Sequence, residues 1–413
     1  MRTRKQLQWN KLFIIFLLLP FLEPSGIADM GVYIGGAYKF IDQMFTGLTL
    51  ISCLLILIMY FGRKSVKLPT IIFLLAAYLS WLLLSAIVND NFTNGYLITV
   101  MKIMGLCMLT DYYMQSGHEK DYLSALCTLL EVIILLNFVC MIIFPDGMYI
   151  DDRSWNLNWI LGFKNRHIYY YIPYVEIKAS LQYLENSKLE KSFYLMCAVI
   201  LASTILAEST TSLICMAVFV LCIILFRNFN LPKVVNPFNI MMASAVITLV
   251  FIGLGYISNF LTIAEEVFGK NTLYRRNLIW VQSVLYIAEN PILGKGNFKF
   301  ELSSFSWVIT QTHNKFVDLL ITGGIVLLVL FFLIFWTLTK RTNDVERYRY
   351  RNIVNFSFIL YALLFLTESR RQDYLFFLVI VLAYYLPKIT VRQLDEVQKQ
   401  KGFLKIGNIR IRI

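Results

Sequence analysis

Stretches of mostly apolar residues recur along the whole chain, near positions 11–28, 41–61, 69–88, 95–115, 121–144, 167–184, 191–208, 210–227, 238–260, 315–339, 352–368 and 372–388. A bilayer core about 30 Å thick needs about 20 consecutive apolar residues of helix to cross it. The pattern therefore predicts an all-α, polytopic membrane helical bundle with about twelve transmembrane helices. Only Ala207-Glu208-Ser209-Thr210 separates the seventh and eighth stretches, which fits two helices or one bent segment. The first stretch follows Arg2, Arg4, Lys5 and Lys11 and has the outline of a signal peptide. No small-residue cleavage site follows it, so it reads as a retained anchor.

Composition agrees with this pattern. Of 413 residues, 58% are hydrophobic and 15% charged, whereas a soluble domain carries roughly a quarter charged residues. A disordered chain, a fibre and an ordinary soluble globule are excluded. The net charge of +12 is read first as a topology signal rather than as a nucleic-acid footprint. With the N-terminus inside, Lys and Arg are about twice as frequent in the inner connections as in the outer ones, densest at Lys340 to Arg351 and after Lys388. This predicts a multi-pass protein of the plasma (inner) membrane with both termini cytoplasmic. Residues 1–413 read as a single integral membrane domain, with external loops at 145–166 and 261–314 and a basic cytoplasmic tail at 389–413. The tail has room for a short amphipathic helix. All seven cysteines lie in apolar runs without C-x-x-C spacing and read as buried small hydrophobes.

Candidate chemistry gathers in the loops expected outside. The loop 261–314 is far longer than a usual connection, and such loops are functional or disordered. It holds Arg275, Arg276 and Trp280, then Asn290-Pro291-Ile292-Leu293-Gly294-Lys295-Gly296, and ends in Thr312-His313-Asn314. Arg153, Arg166, Arg370 and Arg371 also face outward, against the charge bias. Arginine binds phosphate bidentately and keeps its charge, which suits a lipid-linked pyrophosphate; outer-leaflet headgroups are the alternative. Of three histidines, His118 falls in a short inside loop and His167 opens the sixth span, while His313 sits at the outer membrane edge in the company of this loop's motif residues. Glu131, Glu176, Lys178, Lys102, Asp111 and Asp318 fall inside spans and need partners or water. Glu176 and Lys178 either serve function, each with its own partner or a water-filled cavity, or lie near water because Pro173 breaks the sixth span. Tyr169-Tyr170-Tyr171 read as interfacial belt residues. Asp151-Asp152 lack further ligands, and no zinc, P-loop or dinucleotide motif occurs, so no metal and no cofactor are expected.

The ordered set Arg276-x-x-x-Trp280, Asn290-Pro291-Ile292-Leu293-Gly294-x-Gly296, Thr312-His313-Asn314 and Leu319-x-x-x-Gly323-Gly324 resembles the O-antigen polymerase and ligase family. Gly162 to His167 adds a weaker likeness upstream. The resemblance implies a GT-C-like membrane glycosyltransferase that uses a polyprenyl-diphosphate-linked oligosaccharide as donor. It implies that Arg276 contacts the donor diphosphate, that His313 is the general base on the acceptor hydroxyl, and that Asn314 orients it. Membrane lipid, chain-length regulator proteins and flippase proteins become candidate partners; nucleic acid does not. Related sequences often carry a second arginine after a Ser in a mid-chain span. Here the matching stretch, Ala207 to Ser212, has none. Arg166, Arg275, Arg370 or Arg371 then becomes the replacement, with Trp280 and Glu208 as further substrate contacts. Asp318, about one turn beyond His313, is a candidate to orient its ring.

Two other classes compete. A lipid-linked glycan flippase fits the span count but predicts similar halves, which are not evident. A structural scaffold leaves the long loop unexplained. Within the enzyme class, polymerase is favoured over ligase because no added external domain or special acceptor signal occurs.

Overall fold

The computed structural model describes residues 4–63, 68–150, 156–186, 188–255, 272–297, 300–301, 308–309, 312–343, 348–370, 373–385, 403–406 and 409–412. Within them the chain is an all-α, polytopic membrane protein, with helices in each of the predicted apolar stretches. The helices are α1 (Arg4–Leu18), α2 (Ser25–Tyr33), α3 (Ala37–Phe61), α4 (Thr70–Val88), α5 (Asn94–Ser116), α6 (Glu119–Ile143) and α7 (Ile168–Asn186). They continue as α8 (Lys191–Leu206), α9 (Thr210–Phe226), α10 (Pro237–Gly255), α11 (Thr272–Glu289), α12 (Lys315–Asn343) and α13 (Tyr348–Thr367). A final helix, α14, spans Tyr374–Tyr385. Helices α3, α4, α5, α6 and α12 are long and apolar enough to cross a membrane, and six further apolar helices are shorter.

The helices sort by depth. In α7 every residue from Ile168 to Leu184 except Lys178 is buried, and α14 is buried throughout. Enclosed by protein on nearly every side, these two form the centre. Helices α3, α6, α9 and α10 instead expose Leu54, Ile58, Leu136, Val139, Leu221, Ile224 and Leu249. In water such ridges would be a liability; in a bilayer they are the lipid face. Helix α12 packs along α4, α13 along α9 and α10, and α6 along α1 and α7.

Several expectations are corrected. The first stretch is not one span: α1 ends at Leu18, a 3-10 turn runs to Leu22, and Pro24 precedes α2. Proline disfavours helix at the residue before it and lacks an N–H. Of the two readings open for the seventh and eighth stretches, two helices form, turned sharply at Glu208 with φ +52°. Pro173 does not break α7, which runs through it; Glu176 is fully buried, and Lys178 bonds Glu131 at 2.9 Å. Tyr169, Tyr170 and Tyr171 are core residues rather than a belt, because α7 faces protein on all sides. In the tail, Phe403–Ile406 pairs antiparallel with Ile409–Arg412 in place of a helix. Ile409-Arg410-Ile411-Arg412 alternates with period two, which favours a strand.

The connections expected outside converge on one end of the bundle. The first forms a small antiparallel sheet of Tyr149–Ile150, Leu157–Trp159 and Gly162–Phe163, packed on α2. Asn165 bonds Glu368, Ser209 bonds Asn165, Arg370 bonds Ser25, and Asn91 bonds the backbone of Lys295.

Candidate active site

The site is built around the start of α12. Asn314 caps that helix: its side-chain oxygen accepts the N–H groups of Phe316 and Val317 at 3.0 and 3.2 Å, filling two of the donors a helix start leaves open. Its amide nitrogen donates to Thr248 Oγ1 on α10 at 3.0 Å. Asn314 is thus a buried anchor of the segment that carries its neighbour. That neighbour, His313, has φ +53°, a left-handed conformation uncommon for a side chain with Cβ and frequent at functional sites. The turn lifts the imidazole out of the buried cap, and the ring is about a third exposed (36%).

His313 Nδ1 lies 3.4 Å from Glu368 Oε2. Arg276 Nη2 donates to the other oxygen, Oε1, at 2.9 Å, as does Asn165 Nδ2 at 2.9 Å. Ser209 Oγ donates to Asn165 Oδ1 at 3.3 Å and lies 2.7 Å from Ser212 Oγ. One buried carboxylate thus ties α11, the start of α12, the turn before α7 and the turn before α9 together. Glu368 follows the C-terminal end of α13, where the helix dipole disfavours an anion. Its three donors offset that cost.

The remaining candidates take distinct places. Trp280 is buried, and its indole N–H donates to Thr312 O at 2.9 Å, pinning α11 to the His313 segment. Arg166 pairs with Asp29 and lies over the Phe163 ring. Arg370 donates to Ser25 Oγ at 3.2 Å and lies over Tyr169; Lys315 Nζ donates to the Arg370 carbonyl at 3.4 Å. Glu208 is exposed in its turn. Arg275 is described only as a position on α11, and Arg371, Arg153 and Asp151-Asp152 lie outside the described residues. Asp318 lines a cleft with Tyr78, Tyr96 and Lys315, and the acid facing the His313 ring is Glu368.

Glu368 and Asn165 carry the arrangement, yet the sequence reading missed the first and passed over the second. The available signal was an acid between an apolar span and Ser369-Arg370-Arg371, in a turn expected outside.

The Gly-rich motif has a different task. The backbone of α12 breaks at Gly324 (φ 64°, ψ −164°). The carbonyls freed there are taken by Lys295 N–H on Ile321 O at 2.6 Å and Gly296 N–H on Thr322 O at 3.0 Å, while Ile325 N–H returns to Pro291 O at 2.8 Å. Broken helix at membrane depth survives only when protein satisfies it. A Cβ on Gly294 would sit 2.5 Å from the Gly323 nitrogen, and one on Gly324 would run into Ile292 O. The two glycine pairs are halves of one interlock.

Residues 195–332 match the family model described as O-Antigen ligase. That segment of the chain is similar to the O-antigen ligase family. The match runs from α8 into α12 and contains Ser209, Arg276, Trp280, His313 and both halves of the interlock. Glu368 and Asn165 reach the site from outside it. No curated protein matches the chain.

Proposed function

We propose that this membrane enzyme of the O-antigen ligase type polymerises polyprenyl-diphosphate-linked oligosaccharide repeat units into surface polysaccharide on the outer face of the plasma membrane. The observation that carries this reading is the convergence of Arg276 and His313 on the two oxygens of Glu368.

With Nδ1 of His313 donating to Glu368, its lone pair lies on Nε2. That nitrogen takes the proton of the acceptor hydroxyl as the oxygen attacks the anomeric carbon of the donor sugar. The bond from that carbon to the diphosphate breaks, and the leaving diphosphate carries the electron pair. Arg276 spends one guanidinium nitrogen on Glu368 and has further N–H donors for the charge that develops. Glu368 meanwhile stabilises the imidazolium that forms, as the acid of a catalytic triad does. Attack from the face opposite the leaving group inverts the anomeric centre. Arg166, Arg275, Arg370 or Arg371 supplies the second diphosphate contact in this reading, with Trp280, Asn314 and Glu208 shaping the site. Both termini lie in the cytoplasm; membrane lipid, chain-length regulator proteins and flippase proteins are the partners.

The test uses the purified protein with lipid-linked repeat units as the only glycan. Chains longer than one repeat support a polymerase. Transfer that begins only when a different lipid acceptor is added supports a ligase. No transfer under either condition overturns the reading.

A further inference from the structure

The outer end of α4 carries Trp81, Ser85 and Asn89 at successive helical turns, followed by Asn91. Residues four apart share a helix face, and this face meets the interlock. Trp81 Nε1 donates to Gly323 O at 2.8 Å. Ser85 Oγ lies 2.7 Å from Leu293 O and 2.8 Å from Thr322 O, so its one hydrogen is shared between the loop and α12. Asn89 Nδ2 donates to Gly294 O at 3.1 Å. Asn91 donates to Lys295 O at 2.7 Å and accepts the Asn297 N–H at 2.8 Å.

These bonds land on two elements at once. The carbonyls of Thr322 and Gly323 close the half-helix that begins beside His313. The carbonyls of Leu293 to Lys295 belong to the loop leaving α11, which carries Arg276. Both reacting-site residues therefore hang from backbone held by the same side chains. Each is then presented to Glu368 from a fixed base.

We infer that Trp81, Ser85, Asn89 and Asn91 are positioning residues for glycosyl transfer: they set the spacing of Arg276 and His313 without touching substrate. The inference rests on the catalytic reading of His313. It places a determinant of turnover in a span outside the family match.

The test compares Ser85→Ala and Asn91→Ala with the wild type, as purified full-length protein in detergent with a polyprenyl-diphosphate-linked repeat unit as substrate. Misplacing reacting groups by about 1 Å costs on the order of 100-fold in rate. The expected result is a kcat loss of about 10- to 100-fold per monodisperse protein, with KM changed by less than about threefold. Ser85→Thr, which keeps the hydroxyl, restores most of it. A kcat within about twofold of wild type in both alanine variants overturns the inference, because a purely structural clamp alters the yield of folded protein and not its turnover. Should Ser85→Ala fail to fold, Asn89→Ala, which removes only one amide from the interlock, takes its place. His313→Gln in the same assay separates the two claims. If it stays active, the catalytic reading fails; if it is inactive while the α4 variants turn over normally, only the positioning claim fails.

Discussion

Arg276 and His313 hold opposite oxygens of the Glu368 carboxylate, at 2.9 and 3.4 Å. In the proposed reaction, the cation for the leaving diphosphate and the base for the incoming hydroxyl are thereby fixed by one anion. Its loss releases both.

Glu368→Gln keeps the shape and removes the charge. The rate of glycosyl transfer should fall by about 10²–10⁴-fold, the usual worth of a positioned acid–base group. In combination with His313→Ala the further loss should be small, because residues acting as a unit are not additive. Initial rates of the single and double variants check this; fully additive losses would separate Glu368 from His313.

Gly324→Ala forces a Cβ onto a left-handed residue and against Ile292 O. A strained backbone residue alone costs on the order of 1–3 kcal/mol, and the clash adds to it. The expected outcome is a lower thermal midpoint in detergent and a reduced level in the membrane. Gly253 on α10, with open space around its Cβ position, should tolerate alanine far better.

Lys178 and Glu131 pair at 2.9 Å between α7 and α6. Removing either charge leaves the other without its partner inside a span. Lys178→Met should destabilise the protein, and Lys178→Met with Glu131→Gln should recover part of the loss. A coupling of roughly 0.5–3 kcal/mol is expected for groups in contact. Detergent unfolding of the four proteins measures it.

The helical membrane bundle was legible because apolar runs of span length are a property of the chain itself. Helix breaks were less so. Pro24 interrupts the first stretch while Pro173 leaves α7 intact, because burial on all sides holds α7 together around its proline. Tyr169 to Tyr171 misled for the same reason: an aromatic run reads alike at an interface and in a packed centre. Arg276 and His313 were visible as an ordered motif. Glu368 was not, since only folding brings the end of α13 to that motif. The Gly294 and Gly324 interlock was hidden in the same way, as each glycine's need is set by the other's backbone.

The most direct test of the central claim is polymer length on gels from cells carrying His313→Ala, at a matched level of protein in the membrane. Loss of long polymer with accumulation of single lipid-linked repeats on the outer face is the predicted result. An unchanged ladder of long chains would contradict it.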